Sequence, residues 1–275
     1  MTARAVLAAC VAVALTTAPR PVSAWGLAAH RWIARRAATL SRCRPLGGAH
    51  ARQLAAYAVE PDTVLKARLG VVEERRHYLN LDAYGAPPFA ALPRDEAAAV
   101  RRYGRAALER EGVLPWYGAA LAGRLAAELA RGDDAAARRT AGYLAHYAGD
   151  ATMPLHAVRN YDGARTGQRG VHRRIETRLV DERLAAYTTE AARVGVGRPI
   201  PPARSAAALF AALEASFEAA QPVLAADRAA RRGTRVGSAL YFRRLDADLH
   251  ALLAARLGAA AALTAALWDG ACDGR

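Results

Sequence analysis

The chain has 275 residues, enough for one large domain or two small ones, and a formal net charge of +14 that is carried almost wholly by arginine. Its richness in alanine and leucine and its low aromatic content of 7% favour an all-α fold and argue against a sheet-based one. The charge fits an anionic substrate or surface, such as a phosphodiester, nucleic acid or lipid headgroup. A GC-rich genome would give the same arginine bias, so charge alone does not decide the function.

The N-terminus has the pattern of an export signal. Arg4 precedes an apolar run over 5–15, prolines follow, and small residues lead up to Ala24. The run is too short to span a bilayer. The sequence therefore predicts a signal peptide over 1–24, cleavage after Ala24, a mature chain that begins at Trp25, and a secreted or periplasmic location.

The three cysteines of the chain also bear on whether it is exported. Cys10 lies in a segment that also resembles a lipoprotein cleavage box, an alternative that would leave an unusually short apolar core. Cleavage after Ala24 would remove Cys10 and leave Cys43 and Cys272. Two cysteines in an exported chain often pair, so a disulfide between them is expected.

Hydrophobic periodicity and helix-stop signals predict a chain of helices joined by short loops. Asp62 follows Glu60 and Pro61, which are expected to end the second helix and to place Asp62 at a turn. Pro222 is expected to kink or end the helix that contains it. A loop, with a short extended piece, is predicted for 71–93, and a single domain for 25–275. Helices are predicted over 27–40, 49–59, 94–110, 114–131, 134–152 and 172–194, and two long ones lie between 203 and 269, interrupted near 231–234.

Two histidine–carboxylate pairs stand out. His146 and Asp150 are four residues apart, which places them on one face of a helix. Pro154 would end that helix, and the turn could aim His156 back toward the same pocket. His172 and Glu176 repeat the four-residue spacing. Imidazole nitrogens with a few carboxylates are preferred ligands of zinc.

Nine residues form the full set of candidate metal ligands, and five of the seven histidines are among them. Each alone has an ordinary explanation, since a His-x-x-x-Asp pair on a helix is usually a simple side-chain interaction. Together they are much less expected by chance. The set is Trp25, His30, Asp62, His77, His146, Asp150, His156, His172 and Glu176.

This order of residues resembles the superfamily of zinc-dependent phospholipases C and single-strand-specific zinc nucleases. The resemblance covers roughly 25–180 and centres on His146-x-x-x-Asp150-x5-His156, with Pro154 and Leu155 before the last histidine. It implies a multi-helix domain around a trinuclear zinc cleft.

The resemblance also implies how the ligands divide among three zinc ions. Asp62, His77, His146 and Asp150 would hold one ion, and His156, His172 and Glu176 a second. The α-amino nitrogen and carbonyl oxygen of Trp25, with His30, would hold a third ion that Asp150 bridges to the first. The amine exists only after cleavage, so export and metal loading would be coupled.

The activity implied is hydrolysis of a phosphodiester, with Asp62 as a ligand that also orients or deprotonates the attacking water. Bound zinc makes hydroxide available near neutral pH, and paired zinc ions can stabilise the charged phosphoryl oxygens. The expected substrate is a phospholipid or single-stranded nucleic acid. A monomer without an obligate protein partner is expected.

The sequence leaves two activities open: phospholipase C, which it favours, and a single-strand-specific endonuclease. Glu176, its neighbours, and the short spacing from His156 to His172 resemble the lipases. The close spacing of Trp25 and His30 resembles the nucleases. Leu27, Ala28 and Thr63 stand where choline-lipid hydrolases have acidic or aromatic residues. A third hypothesis is an exported helical module that binds zinc or anionic polymers without catalysis.

Overall fold

A computed structural model describes residues 25–273, and it is all-α as predicted, with no β-strand in that range. The predicted signal peptide over 1–24 and the alternative cleavage box at Cys10 lie outside the described residues. The helices are α1 (Leu27–Leu40), α2 (Ala51–Tyr57), α3 (Lys66–Leu69), α4 (Val71–Glu74), α5 (Glu96–Tyr103), α6 (Arg105–Glu111), α7 (Leu114–Ala130), α8 (Asp134–Thr152), α9 (Val171–Arg173), α10 (Leu184–Ala191), α11 (Ser205–Ala230) and α12 (Ala239–Cys272).

Helix α8 is the centre of the fold. It contacts α1, α2, α7, α11 and α12, and its residues 144–152 are all buried. Gly142 permits the close approach of α2, since a Cβ at this position would lie 2.3 Å from the Cβ of Tyr57. A helix enclosed in this way can hold polar side chains away from water at fixed positions.

Carboxylates cap the helices that carry the candidate ligands. Asp133 accepts a hydrogen bond from the backbone N–H of Ala136 at the start of α8. Helix α1 has no capping side chain of its own, and the distant Asp181 accepts from the N–H groups of Ala28 and Ala29 at 3.2 and 2.7 Å. The start of α1 is therefore fixed against the segment that follows Glu176.

Several helix boundaries differ from the prediction. The second helix, α2, ends at Tyr57, before Pro61 as predicted, but a π-helical turn, Pro61–Leu65, then leads into α3, so Asp62 lies within a helical segment and not at an open turn. The predicted loop over 71–93 contains α4 and a 3₁₀ turn and has no extended strand. The predicted helix over 94–110 is divided at Gly104, whose φ of +82° no helix interior accommodates.

Two further helices show that tertiary packing can override the helix-stop and periodicity signals in the sequence. Pro222 neither ends nor divides α11, in which the neighbouring Val223 and Leu224 are buried in the core. The predicted helix over 172–194 is helical but irregular, and it consists of α9, a π-helical segment at Arg174–Val180, a 3₁₀ turn and α10. Such π-helical segments are frequent at functional sites.

A disulfide joins the segment after α1 to the end of α12. Cys43 and Cys272 are bonded to each other, which is the pairing that the sequence predicted. Helix α12, which ends at Cys272, is apolar and long enough to cross a membrane by length and composition, yet 61% of its most apolar stretch is buried inside the fold. Its burial against α1, α8, α10 and α11 is the property of a core helix.

Candidate metal centre

Helix α8 supplies the two most central side chains of the site. His146 and Asp150 are fully buried, and His146 Nε2 lies 3.3 Å from Asp150 Oδ2. His146 Nδ1 lies 2.8 Å from the carbonyl oxygen of Ala58, which can only accept a hydrogen bond, so Nδ1 carries the proton. The lone pair of Nε2 therefore points into the site, as it does in histidines that bind metals.

The first cluster forms where the segment after α4 meets α8. His77 Nδ1 lies 2.9 Å from Asp150 Oδ2 and 3.0 Å from His146 Nε2. Asp62, from the π-helical turn, places Oδ1 at 3.8 Å from the same nitrogen of His77. The structure thus brings together all four residues predicted for the first ion.

The other oxygen of Asp150 faces a different histidine. Asp150 Oδ1 lies 3.4 Å from His30 Nε2, and the ring of His30 stacks on that of His146 with 3.9 Å between centroids. A glycine at 149 suits this close packing, because a Cβ would lie 3.2 Å from the His30 ring, closer than ordinary van der Waals contact. Asp150 therefore presents one oxygen to each of two groups of nitrogens, the arrangement of a bridging carboxylate.

Trp25 is buried next to this group. Its indole N–H donates to the carbonyl oxygen of Gly149 at 3.0 Å, which fixes the residue against the last turns of α8. The predicted ligand atoms of Trp25 are its amine and carbonyl oxygen. The amine would exist only after cleavage after Ala24, so the contribution of Trp25 to a metal site stays a prediction.

The second cluster comes from the turn after α8 and from the segment 171–180. His156 Nε2 lies 3.1 Å from His172 Nε2 and 3.4 Å from Glu176 Oε1. His156 Nδ1 donates to the carbonyl oxygen of His77, which again leaves Nε2 as the inward lone pair. All three residues predicted for the second ion converge, and the backbone of His77 connects the two clusters.

The eight side chains from His30 to Glu176 described above, here called the metal centre, fit zinc on three grounds. Pairs of imidazole nitrogens face each other at 3.0 and 3.1 Å, where at most one can donate a hydrogen bond to the other. Four ligands about 2.0–2.1 Å from zinc would lie about 3.3 Å apart, close to the separations found. Several buried atoms also have no hydrogen-bond partner among the described residues, including both ring nitrogens of His30, Asp62 Oδ2, Asp150 Oδ1 and Glu176 Oε2.

Burial and neighbouring charges set the protonation of these groups. Burial lowers the pKa of His146 to about 3 and that of His172 to about 4, so both imidazoles are neutral at pH 7. Burial would raise the pKa of Asp62, but the positive charge that His146 carries in acid and that of Lys66 hold it at about 2. Burial raises the pKa of Glu176 to about 8. Neutral imidazoles are the form that binds metal, whereas Glu176 must lose a proton to do so.

Glu73 supports the site and was missed by the sequence analysis. It is fully buried, and its Oε1 lies 3.5 Å from His77 Nε2, the ring nitrogen that faces away from the first cluster. It also accepts from Tyr147 OH and pairs with Arg76 Nη1 at 2.7 Å. A carboxylate behind a metal-binding histidine orients the ring and raises its basicity. The four-residue spacing of Glu73 and His77 was the available signal.

An open pocket of about 360 Å³ gives solvent access to both clusters. Tyr84 and Phe89, two aromatics of the predicted loop, are buried in the core and hold the loop in place, whereas Tyr78 lines the pocket. Arg159 is engaged by Glu111 through two hydrogen bonds and does not line the pocket. The pocket is lined by His77, His156 and His172 of the metal centre and by Lys66, Glu74, Tyr78, Asn80, Arg110, Leu155 and Tyr161.

Comparisons with known protein families and curated proteins do not assign the chain to a family. No protein-family model matches it. No curated protein matches it by sequence. The structure itself supports an all-α domain with buried groups of histidine and carboxylate ligands that could hold metal ions.

Proposed function

We propose that the protein is an exported zinc-dependent phosphodiester hydrolase of the phospholipase C type. The observation that carries this proposal is the opening of both ligand clusters, through His77, His156 and His172, onto one pocket that also contains Lys66 and Arg110. A purely structural zinc site is closed, whereas a catalytic one keeps access for water and substrate. Cationic side chains beside the ligands suit an anionic phosphodiester.

Zinc held by these ligands would supply Lewis-acid stabilisation of the phosphoryl oxygens and hydroxide at neutral pH. The residues of the chain then have separate tasks. Asp62 is ionised at pH 7, its Oδ1 contacts Lys66 Nζ at 2.5 Å, and its Oδ2 has no hydrogen-bond partner among the described residues. A carboxylate with a pKa of about 2 is a weak base, so Asp62 is better suited to orienting the attacking water than to taking its proton.

Lys66 and Arg110 would attract and position the phosphoryl group from the pocket wall. Lys66 follows Asp62 by one helical turn, so a single segment places both the water-orienting carboxylate and a cation. Arg110 is largely exposed at the pocket and provides the second positive charge.

Exposed valines near the pocket favour a lipid substrate. Val64, Val71 and Val72 are among the few large apolar side chains exposed in the described part of the chain. They lie on the π-helical turn and on α4, both of which contact α3; pocket residue Lys66 begins α3, and pocket residue Glu74 ends α4. Apolar side chains beside a cleft suit a substrate presented at a membrane surface.

A nuclease of the same superfamily is the second candidate. Tyr78, Tyr161 and Asn80 line the pocket, and aromatic rings with an amide can stack on a nucleobase and hydrogen-bond to it. A non-catalytic zinc-binding or anion-binding module is the third and least favoured hypothesis, because it leaves the open pocket without a role.

One assay distinguishes these hypotheses. Protein that begins at Trp25 would be given single-stranded DNA and, separately, a phospholipid suspension, each with and without chelator and after zinc is added back. Chelator-sensitive release of phosphorylated headgroup supports the lipase, and chelator-sensitive release of nucleotides supports the nuclease. Bound zinc with neither product would refute both enzyme hypotheses and leave the binding module.

A further inference from the structure

A second pocket lies on the outer side of the segment that carries His172 and Glu176. It has a volume of about 320 Å³ and is lined by Gly170, Arg173, Arg174, Arg178, Gly237 and Phe242. His172 faces the metal centre, whereas the adjacent Arg173 faces this second pocket. We call it the arginine pocket.

The two chain segments that border the arginine pocket carry a concentrated positive charge. The segment 163–175 contains four arginines and 228–244 contains six, and neither contains an aspartate or glutamate. Ten arginines without an acidic residue in these stretches favour the approach of an anion, although two of them, Arg174 and Arg231, pair with the neighbouring Asp227.

The arginines of the pocket are not equally available. Arg174 is held in place by hydrogen bonds to Asp227 and to the carbonyl oxygens of Gln168 and Arg169. Arg178 makes an ion pair with Glu182 at 3.0 Å, in which both side chains are half exposed and the interaction is weak. Arg173 is exposed, with no hydrogen bond or ion pair found among the described residues. The pocket thus has a fixed wall at Arg174, an unpaired side chain in Arg173 and a weakly paired one in Arg178 that a ligand can compete for.

Apolar side chains lie beside these charges. Val236 and Leu240 are exposed; in the chain Val236 precedes Gly237 of the pocket wall and Leu240 lies between Gly237 and Phe242, which also lines the pocket. Exposed aliphatic residues add little to the binding of a free phosphate ion or a hydrated polynucleotide. Together with arginines they are typical of surfaces that rest on anionic membranes, where the charges meet headgroups and the apolar groups enter the interface.

We propose that the arginine pocket binds the phosphate of an anionic phospholipid headgroup and docks the protein on a membrane surface, with Val236 and Leu240 at the interface. Arg173 and Arg178 would contact the phosphate, and Arg174 would support them from the pocket wall. This binding site is separate from the metal centre, and it does not rest on the proposed hydrolase activity.

The test is flotation of the protein that begins at Trp25 with vesicles of phosphatidylcholine alone and of phosphatidylcholine mixed with phosphatidylglycerol. It is done with zinc and again after chelation, so that binding through the metal centre is separated from docking. The wild type should float only with the anionic vesicles, in both conditions. The double variant Arg173→Gln/Arg178→Gln should bind them roughly 30-fold more weakly, because each basic side chain near an anionic surface adds about a fivefold gain in affinity.

A matched control removes two exposed arginines elsewhere, Arg52 on α2 and Arg101 on α5. The variant Arg52→Gln/Arg101→Gln has the same net charge and should bind as the wild type does. The variant Val236→Ser/Leu240→Gln should weaken vesicle binding without changing the elution of the protein on heparin. Equal losses in the two arginine double variants would overturn the proposal, since only overall charge would then matter.

The same variants decide between the phospholipid and other phosphate sources. Inorganic phosphate and a single-stranded oligonucleotide would be titrated into the wild type and into Arg173→Gln/Arg178→Gln. Tight binding of either that is lost in the variant, without vesicle flotation, would overturn the membrane proposal and identify a free-phosphate or nucleic-acid site. A hydrolase inactive on every substrate that still docks on anionic vesicles would support the docking site and refute only the proposed activity.

Discussion

Two buried polar clusters in this protein have opposite chemistry. Around Asp227, which is fully buried, donors surround an acceptor: Tyr241 OH and Gln168 Nε2 donate to the carboxylate, and Arg174 and Arg231 pair with it. We call these five residues the Asp227 network. In the metal centre, imidazole nitrogens and carboxylate oxygens converge with few donors among them, and the inward nitrogens of His77 and His146 are only 3.0 Å apart.

The comparison shows how a structural polar cluster differs from a ligand site. The Asp227 network satisfies its carboxylate from within the chain, and although burial would raise the pKa of Asp227, the hydrogen bonds from Tyr241, Gln168 and Arg174 lower it. The metal centre leaves buried ring nitrogens of His30 and a carboxylate oxygen of Asp150 without hydrogen-bond partners among the described residues. Desolvated lone pairs are costly unless something positive binds them.

The largest effect is expected from removing a central ligand. His146→Ala should abolish zinc binding at the first cluster and lower the hydrolysis rate about 10³-fold or more, since metal-based charge stabilisation is worth several kcal/mol. Zinc content by mass spectrometry and initial rates would measure this. His250→Ala is the control, because His250 pairs with Asp246 outside the metal centre. Unchanged zinc content in His146→Ala would contradict the assignment.

A substitution in the Asp227 network should lower the stability of the protein and leave its zinc content unchanged. Asp227→Asn leaves two arginines without their full counter-charge and should lower the free energy of unfolding by about 3 kcal/mol, the low end for a broken buried pair because Arg174 and Arg231 keep partial solvent access. Urea denaturation of the zinc-loaded and chelated protein would measure it. Glu182→Gln breaks only a half-exposed pair and should cost under about 1 kcal/mol. If Asp227→Asn cost no more than this control, the network would not be a stabilising element.

Local signals in the sequence were sufficient for much of the fold and for the ligands on helices. The apolar spacing of α1 predicted a helix over 27–40, which is found at Leu27–Leu40. The four-residue spacing of His146 and Asp150 depends only on helix geometry, and their side chains do meet. Whether the pairs would share one centre depended on tertiary packing, which the sequence did not reveal without the resemblance.

The features that the sequence did not reveal depend on distant parts of the chain. Asp181 caps α1 across more than 150 residues, a contact without a local signal. Asp62 was expected at a turn because Pro61 usually ends a helix, but a proline at the first position of the π-helical turn needs no N–H donor there. The role of Glu73 behind His77 became visible only when the buried Tyr147 and Arg76 were placed around it.

A variant of Glu73 tests whether this hydrogen-bonded carboxylate raises the zinc affinity of the neighbouring first cluster. Glu73→Gln keeps the shape of the side chain but removes the negative charge behind His77, and zinc affinity should fall about 10–100-fold. Competition with a chromophoric chelator would measure the affinity. Glu128→Gln is the matched control, since Glu128 is also buried and pairs with an arginine, Arg124, but has no hydrogen bond or ion pair with a histidine among the described residues. Equal affinities in the two variants would show that Glu73 only supports the fold.

The smallest expected effect is the pH dependence of zinc binding at the second cluster. Because burial raises the pKa of Glu176 to about 8 and lowers that of His172 to about 4, the chelated protein at pH 7 holds a proton on Glu176 and none on His172. Zinc needs the carboxylate, so binding should release this proton. Apparent affinity for the second cluster should therefore rise about tenfold per pH unit between about pH 5 and 8 and then level off.

Calorimetry in buffers with different ionisation enthalpies would count the released protons. Glu176→Gln and His172→Gln each remove one ligand of the same cluster, yet only Glu176→Gln removes the titrating group, so proton release should decrease in that variant alone. The same release in wild type and Glu176→Gln would mean that Glu176 is already ionised before zinc arrives. Its burial would then be balanced by hydrogen bonds within the chain, as the burial of Asp227 is, and the contrast between the two clusters would be weaker than their geometry indicates.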